Sequence, residues 1–355
     1  VADLLYNKLG LTCEIKTDTG QQSVKAEALE ALADKHAIVP LLLSLSRVKK
    51  QRSTYGLSML EHISEVDGRV HTTFNMVRSA RLSSKSPNVQ NITAPEEPGG
   101  EGEWARGCFV AAPGNKLVSL DYAQQELRVA AMLSGDETMA ASFEAGHDFH
   151  TMTAAAAHGV SPDAVTKEQR RVGKSLNFAI IFGQSEYGIA RSIDSTKERA
   201  AELMATLLGR YSKFAAWRRG RVADAEVNGI LWTEWGDWCF RRSVYGIGET
   251  ARGKAADRIR KHWRNVAMNN PIQCIANCFC LASLTEAVRW TREERHEVKV
   301  VMTVHDSLLF ECPEGLVDEV VREGRRIMLQ WPSGVVKLKV DAEVGADWGR
   351  MVKVG

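Results

Sequence analysis

Two aspartates follow strongly apolar runs: Asp121 closes Lys116-Leu-Val-Ser-Leu-Asp121, and Asp306 lies between the apolar segments 298–304 and 308–312. Taken singly, an acid in such a place is more often a helix cap or a turn former. Held together at the rim of one sheet, two carboxylates would suit Mg²⁺, which prefers hard oxygen ligands and keeps its waters for substrate phosphates. A pair of such ions about 4 Å apart can lower the pKa of an attacking hydroxyl and stabilise a leaving oxygen. Spacing along the chain does not say whether the two strands are neighbours.

A second constellation is sharper. Thr166-x-x-Gln169 is a capping-box pattern that opens a helix. Arg170, Lys174, Phe178 and Phe182 follow, each four residues after the last. Steps of four drift by about 40°, so these side chains form one slowly winding stripe. Two cations and then two aromatics suit a nucleoside triphosphate, the cations on the phosphates and Phe178 near the base or sugar. The same pattern also fits an amphipathic helix with a charged start and an apolar end. Gly183 supplies the stop.

Other patterns fall short of a site. Gly248-Glu-Thr-Ala-Arg-Gly253-Lys254-Ala255 resembles a phosphate-binding loop, but Ala255 stands where a Mg²⁺-binding hydroxyl is needed. His147-x-x-His150 could share a helix face, yet no further metal ligand is in register. Cys274 and Cys278 would share a face while Cys280 points about 200° from Cys278, so buried thiols are the better reading. Seven scattered cysteines argue against a disulfide framework and for a reducing compartment.

The elements that must position these residues can be sketched. Residues 1–60 read as mainly helical, 69–75 as a strand, and 83–91 and 95–102 as connections. A buried strand ending at Asp121 runs into a helix over 124–134, with Gly135 as its stop. Residues 139–261 read as mostly helical, broken by a Trp/Gly-rich turn region at 232–248, and two strands flank His305-Asp306. With 44% hydrophobic and 25% charged residues, the 355-residue chain has an ordinary globular balance. No apolar run of about 18 residues is evident, so no membrane span is expected, and no secretory signal opens the chain. It begins with Val, as a fragment or processed product would. Net charge is only +2, but residues 241–264 carry eight Lys/Arg against Glu249 and Asp257. That cluster, and Arg47-Val-Lys-Lys-Gln-Arg52, could neutralise phosphates or form solvated helix faces.

In chain order, these segments resemble the family A DNA polymerases. Asp121-Tyr-Ala-Gln-Gln-Glu126-Leu-Arg128 is similar to the family's Asp-Tyr-Ser-Gln-x-Glu-Leu-Arg. Arg170-Arg-Val-Gly-Lys174-Ser-Leu-Asn-Phe178-Ala-Ile-Ile-Phe182-Gly183 is similar to Arg-Arg-x-x-Lys-x-x-Asn-Phe-Gly-x-x-Tyr-Gly, and Val304-His305-Asp306-Ser307 to Val-His-Asp-Glu. Ala80-Arg81-Leu82-Ser83-Ser84, Pro87–Ile92, Asp148-Phe-His150-Thr, Asn269-Asn-Pro-Ile-Gln273 and Val344-Gly-Ala-Asp-Trp348 extend the match over nearly the whole chain.

The resemblance implies an α+β, right-hand polymerase fold. Residues 1–60 would be a partial thumb, 61–137 the first part of the palm, 138–262 the fingers and 263–355 the rest of the palm. It implies a DNA-directed DNA polymerase acting on primer–template DNA and dNTPs with two Mg²⁺, with no membrane and with protein partners unread. Asp121, Tyr122 and Asp306 would hold metal. Arg170 and Lys174 would hold the triphosphate, with Lys174 the acid for departing pyrophosphate. Gln124, His150, Phe178 and Phe182 would also line the nucleotide site, and Glu126 would crowd a ribose 2′ hydroxyl. Arg81, Asn88, Asn91, Asn269, Gln273 and His305 would touch DNA.

Four positions depart from the pattern. Ser307 replaces the third acid of the palm turn, and Phe182 replaces a Tyr and loses its hydroxyl. Gln125 and Ala179 stand for an apolar residue and Gly. With the thumb entered partway, and no exonuclease or 5′ nuclease segment in these residues, low processivity without proofreading is expected. The bacterial cytoplasm, a phage-infected cell or another reducing, DNA-containing compartment would suit it. A single-subunit RNA polymerase is the rival enzyme reading, which Glu126 opposes; a noncatalytic DNA-binding module has only Ser307 in its favour.

Overall fold

Short apolar runs bounded by turns build the sheet that carries Asp121 and Asp306, and amphipathic helices build nearly everything else. The structure, a computed structural model, describes residues 1–355 apart from 18, 78–80, 96–99, 236–237, 245–252 and 335. Of 50, 51, 54, 57, 101, 235, 238, 240 and 254 only the backbone is described. Ala80, most of the 95–102 connection, much of the 232–248 turn region and most of the phosphate-loop look-alike therefore lie outside the described residues. The chain divides into two compact units, residues 1–73 with 84–108, and residues 74–83 with 109–355.

The smaller unit is helical, as expected. It contains a π-helical turn at Asp3–Lys8, α1 (Ala26–Glu30), α2 (Ile38–Gln51), α3 (Leu57–Leu60) and α4 (Glu101–Gly107). Leu5, Ala28, Leu29, Leu32 and Val39 form its core, and the Tyr55 hydroxyl donates to Asn91 O at 2.6 Å. The strands β1 (Thr73–Met76) and β2 (Leu82–Lys85) pair as a ribbon in which the chain leaves this unit and returns to it. Part of the expected 83–91 loop is thus strand: Leu82-Ser-Ser-Lys has little strand character of its own and takes it from its partner.

The larger unit is organised by an antiparallel five-stranded sheet in the order β6-β7-β3-β8-β9. These are β3 (Asn115–Tyr122), β6 (Lys299–Val304), β7 (Ser307–Pro313), β8 (Val340–Gly345) and β9 (Val352–Val354). Central β3 pairs Asp121 with Ser307 on one side and with Asp341 on the other. Directly opposed residues share a face, so these three side chains lie on one side of the sheet. Its other side packs Val118, Leu120, Tyr122, Leu308 and Phe310 against helices. A Cβ at Gly324 of α13 (Val317–Leu329) would fall 2.2 Å from Leu120 Cδ1, so glycine lets that helix seat directly on the sheet.

From β3 the chain enters α5 (Gln125–Ser134), α6 (Glu137–Glu144), α7 (Phe149–His158), α8 (Lys167–Phe182), α9 (Glu186–Ser192), α10 (Lys197–Arg210) and α11 (Ser212–Asn228). A hairpin, β4 (Ile230–Trp235) with β5 (Trp238–Ser243), then stands where irregular turns were expected. Ile230 and Thr233 are its β-branched residues, so pairing more than propensity makes these segments strands. The 40-residue α12 (Lys254–Glu293) follows. It does contain a stretch long and apolar enough to cross a bilayer by composition, but 61% of that window is buried inside the protein. Ile272, Ile275, Ala276, Phe279, Ala287 and Trp290 supply core side chains, which is why the helix is so apolar.

Candidate active site

The turn His305-Asp306 between β6 and β7 brings Asp306 to the end of β3. His305 adopts a positive φ of 55° to make so tight a reversal, and Tyr122 N donates to Asp306 O at 3.2 Å. Asp121 and Asp306 therefore stand as neighbouring carboxyls. Solvent reaches Asp121, yet the protein packed around it, then the charge of Asp306, then Asp341 and Glu343, push it up to about 8. Burial also raises Asp306. Two acids so close disfavour each other's ionisation, and Asp121 is the one raised by its neighbour's charge. The Tyr122 hydroxyl points into the core, donating to Met328 O at 2.6 Å and meeting Ser283 Oγ at 2.9 Å. Only its main chain is left to face a metal. Ser307 spends its hydroxyl proton on Val304 O at 2.9 Å.

The turn after Asp121 carries two more of the expected residues. Gln124 is left-handed, with φ 52°; its Nε2 donates to Asp148 Oδ1 at 2.8 Å, and its buried Oε1 has no partner among the described residues. Glu126 sits on the first turn of α5 in an ion pair with Arg81. Its side chain is 14% exposed, and burial raises its pKa despite the Arg81 charge.

Helices α7 and α8 hold the charged and aromatic stripe. Thr166 caps α8 in a full capping box with Gln169, as read from the sequence. Arg170 Nε donates to Asp148 Oδ2 at 2.5 Å, and Thr151 Oγ1 to the same oxygen at 2.7 Å. Burial works against the Asp148 charge, but these hydrogen bonds and the guanidinium outweigh it and carry Asp148 down to about 2. His150 is 6% exposed. Burial, and then Arg170 and Lys174, hold it down to about 4 against the pull of Asp148. Lys174 is exposed with no ion pair among the described residues. Phe178 and Phe182 stack at 5.9 Å and 7°, and His150 lies 6.1 Å from Phe178. The end of the stripe meets α12: Asn269 Nδ2 donates to Phe182 O at 2.9 Å, and Gln273 follows one turn later.

Asn88 and Asn91 belong to the smaller unit. Asn88 Oδ1 accepts from Ser84 Oγ at 3.0 Å and Asn91 N at 3.2 Å, a local turn network. Among the described residues no group of three or more His, Cys, Asp and Glu is placed to hold a metal. Cys274, Cys278 and Cys280 are buried thiols in no disulfide. His147 lines a separate cavity of about 460 Å³ with Glu137 and Arg210, which none of the residues above lines. Sequence reasoning assigned nothing to Asp148, Asn177 or Asp341. An Asp before Phe-His is a cap signal that could have flagged the first, and Asn177 stands within the motif that links Lys174 to Phe178; Asp341 carries no local signal.

Residues 1–350 match the sequence profile of DNA polymerase family A. The chain belongs to that family. It is 35% identical over 347 residues to DNA polymerase I of Caldicellulosiruptor bescii, covering 97% of this chain and 39% of the relative. It is 33% identical over 348 residues to the thermostable DNA polymerase I of Thermus aquaticus, covering 97% and 40%. A solved structure, the POL domain of Pol1 from M. smegmatis in complex with DNA primer-template and dNTP, is similar with a TM-score of 0.86 at 30% identity. That match covers 98% of this chain and 60% of the other. The family A polymerase fold expected from the sequence is therefore the one observed. The chain spans about two fifths of the length of these curated relatives.

Proposed function

We propose that this chain is the polymerase part of a DNA-directed DNA polymerase, which adds dNTPs to a primer 3′ end by nucleotidyl transfer on a template strand. The observation that carries the reading is the placement of Asp306, in the turn between β6 and β7, against Asp121 at the end of β3, two carboxyls at one rim of the sheet. The pair fits Mg²⁺, because its donors are hard oxygens and because a divalent cation would offset the burial that raises both carboxyls and the neighbouring charge that also raises Asp121. Asp121, Asp306 and the main chain of Tyr122 would hold it. When bound, two Mg²⁺ would supply positive charge to the attacking 3′ hydroxyl and the leaving pyrophosphate.

The remaining roles belong to side chains. The 3′ oxygen bonds to the α-phosphorus, the α–β bridging P–O bond breaks, and the hydroxyl proton passes to solvent water. Lys174, free of ion pairing, donates a proton to the departing pyrophosphate. Arg170 grips the phosphates from the first turn of α8, where Asp148 keeps its guanidinium oriented. Phe178 packs on the incoming sugar and base, over Phe182. Glu126, held by Arg81, crowds the place of a 2′ hydroxyl and so favours dNTPs. Gln124 and His150 complete the nucleotide site, while Arg81, Asn88, Asn91, Asn269, Gln273 and His305 contact primer–template. The sheet is the palm, the helices of 138–262 are fingers, and residues 1–60 are part of a thumb. The thiols, none in a disulfide, suit a reducing, DNA-containing compartment such as a bacterial cytoplasm.

The test is extension of a primed template with each dNTP in Mg²⁺, beside Asp306→Ala and beside rNTPs. Template-directed extension that vanishes in the variant supports the reading. Ser307 favours one other reading, a hand that binds DNA without chemistry. Tight primer–template binding with no extension by the unaltered chain would favour that account instead.

A further inference from the structure

The seam between α7 and α8 contains a polar relay. Gly173 brings the helices together: a Cβ there would lie 2.3 Å from His150 O and 2.9 Å from Ala154 N. One turn later Asn177, 3% exposed, reaches across the seam. Thr153 Oγ1 donates to Asn177 Oδ1 at 2.9 Å, and Asn177 Nδ2 meets His150 Nδ1 at 3.0 Å. Asn177 Nδ2 also donates to Phe149 O at 3.5 Å; a main-chain carbonyl only accepts, so this end of the amide is the NH₂, and it faces the imidazole. An amide NH₂ only donates, so the ring nitrogen facing it must accept and carries no proton. The proton of the neutral ring then sits on Nε2. Nε2 has no hydrogen-bond partner among the described residues. The charged groups around the ring are Asp148 from its own helix start and Arg170 and Lys174 from α8.

We propose that Asn177 is a positioning residue that locks His150 as the Nε2–H tautomer, making it an uncharged donor to the triphosphate held by Arg170 and Lys174. This rests on α8 being the triphosphate site. Two cations already face that site. A third would grip pyrophosphate after the reaction as firmly as dNTP before it, whereas a neutral N–H fixes geometry without that cost. The burial and cations that hold the ring down to about 4 keep it neutral throughout ordinary working pH.

The experiment is long-range ¹H–¹⁵N NMR on the full chain, with the His150 ring signals identified by their loss in His150→Ala. A bare Nδ1 and a protonated Nε2, unchanged between about pH 5 and 8, are expected. A protonated Nδ1, or a midpoint near 6.5, overturns the lock. Asn177→Asp puts an acceptor in place of the donor; its His150 should gain the Nδ1 proton and titrate inside that window. The dNTP KM of that variant should then vary more than about threefold over the window where the unaltered chain is flat. If the variant does not fold, the spectrum of the unaltered chain decides the tautomer alone. Adding dNTP should also move the Nε2 signal. An unmoved signal, with Lys174→Ala still raising dNTP KM, overturns the donor role; Lys174→Ala without effect on KM instead sinks the α8 reading.

Discussion

The sheet rim and the α7–α8 seam treat acids in opposite ways. At the rim, Asp121 is pushed up to about 8 by burial and by a second carboxyl, with two further acids, Asp341 and Glu343, adding to the push. At the seam, Asp148 is also partly buried, yet Arg170, Thr151 and a backbone amide bring it down to about 2. Asp121 closes a buried strand, while Asp148 follows a polar turn and caps a helix. What differs is whether the protein itself supplies the compensating charge. The seam is complete as folded and does structural work as a helix cap; the rim is left in electrostatic debt that oxygen-seeking cations would settle.

The comparison breaks most easily at the rim. Asp306→Ala should reduce Mg²⁺-dependent extension by on the order of 10³-fold or more, read in single-turnover assays. Stability should move the other way. Because the folded pKa of Asp121 lies above its unfolded value, the folded state binds more protons between about pH 4 and 8. Metal-free stability from this group therefore falls as pH rises through that window. Asp121→Asn should abolish extension while raising the melting temperature in chelator at pH 8, with little gain at pH 4. A melting temperature that drops in that variant would contradict the repulsion described here.

A smaller effect is expected beside the rim. Glu126→Ala removes the side chain that crowds the sugar, so the ratio of rNTP to dNTP incorporation should rise about tenfold or more. Equal discrimination in the variant would remove Glu126 from the nucleotide site.

At the seam, Asp148→Ala should lower stability by about 1–2 kcal/mol at neutral pH, read by urea unfolding, since it deletes the α7 cap and leaves Arg170 without its partner. The folded pKa of Asp148 is depressed, so its contribution is present above about pH 4 and lost as pH falls towards 2. The difference between variant and parent should shrink across that acid window.

The smallest effect sharpens the contrast. Ser307→Glu adds an acid beside Asp121, and should lower the metal-free melting temperature at pH 8 by about a few degrees. Mg²⁺ should restore most of the loss. Melting that is insensitive to the added charge would argue that the rim is well solvated.

Much of this site could be read before any coordinates. The stripe from Arg170 to Phe182 followed from helical spacing alone, and Phe178 and Phe182 do stack. The capping box at Thr166 and the strand ending at Asp121 were equally local. The hairpin at 230–243 and the strand at 82–85 were missed because pairing, more than propensity, makes them strands. The long α12 is apolar because its side chains serve the core of a globular unit, a fact its composition does not carry.

Periodicity, capping and turn chemistry act over a few residues, so the sequence by itself determined the helical stripe, the apolar strands and the family to which they belong. The tertiary structure alone decided that Asp306 stands against Asp121, 185 positions earlier by number. It also decided that Asp341 flanks the same residue, that Asp148 is paid in hydrogen bonds, and that Asn177 faces His150. Each of these depends on which strands become neighbours and how closely two helices approach. Charge and tautomer in this site are consequences of those contacts, and the contacts form only when the core closes.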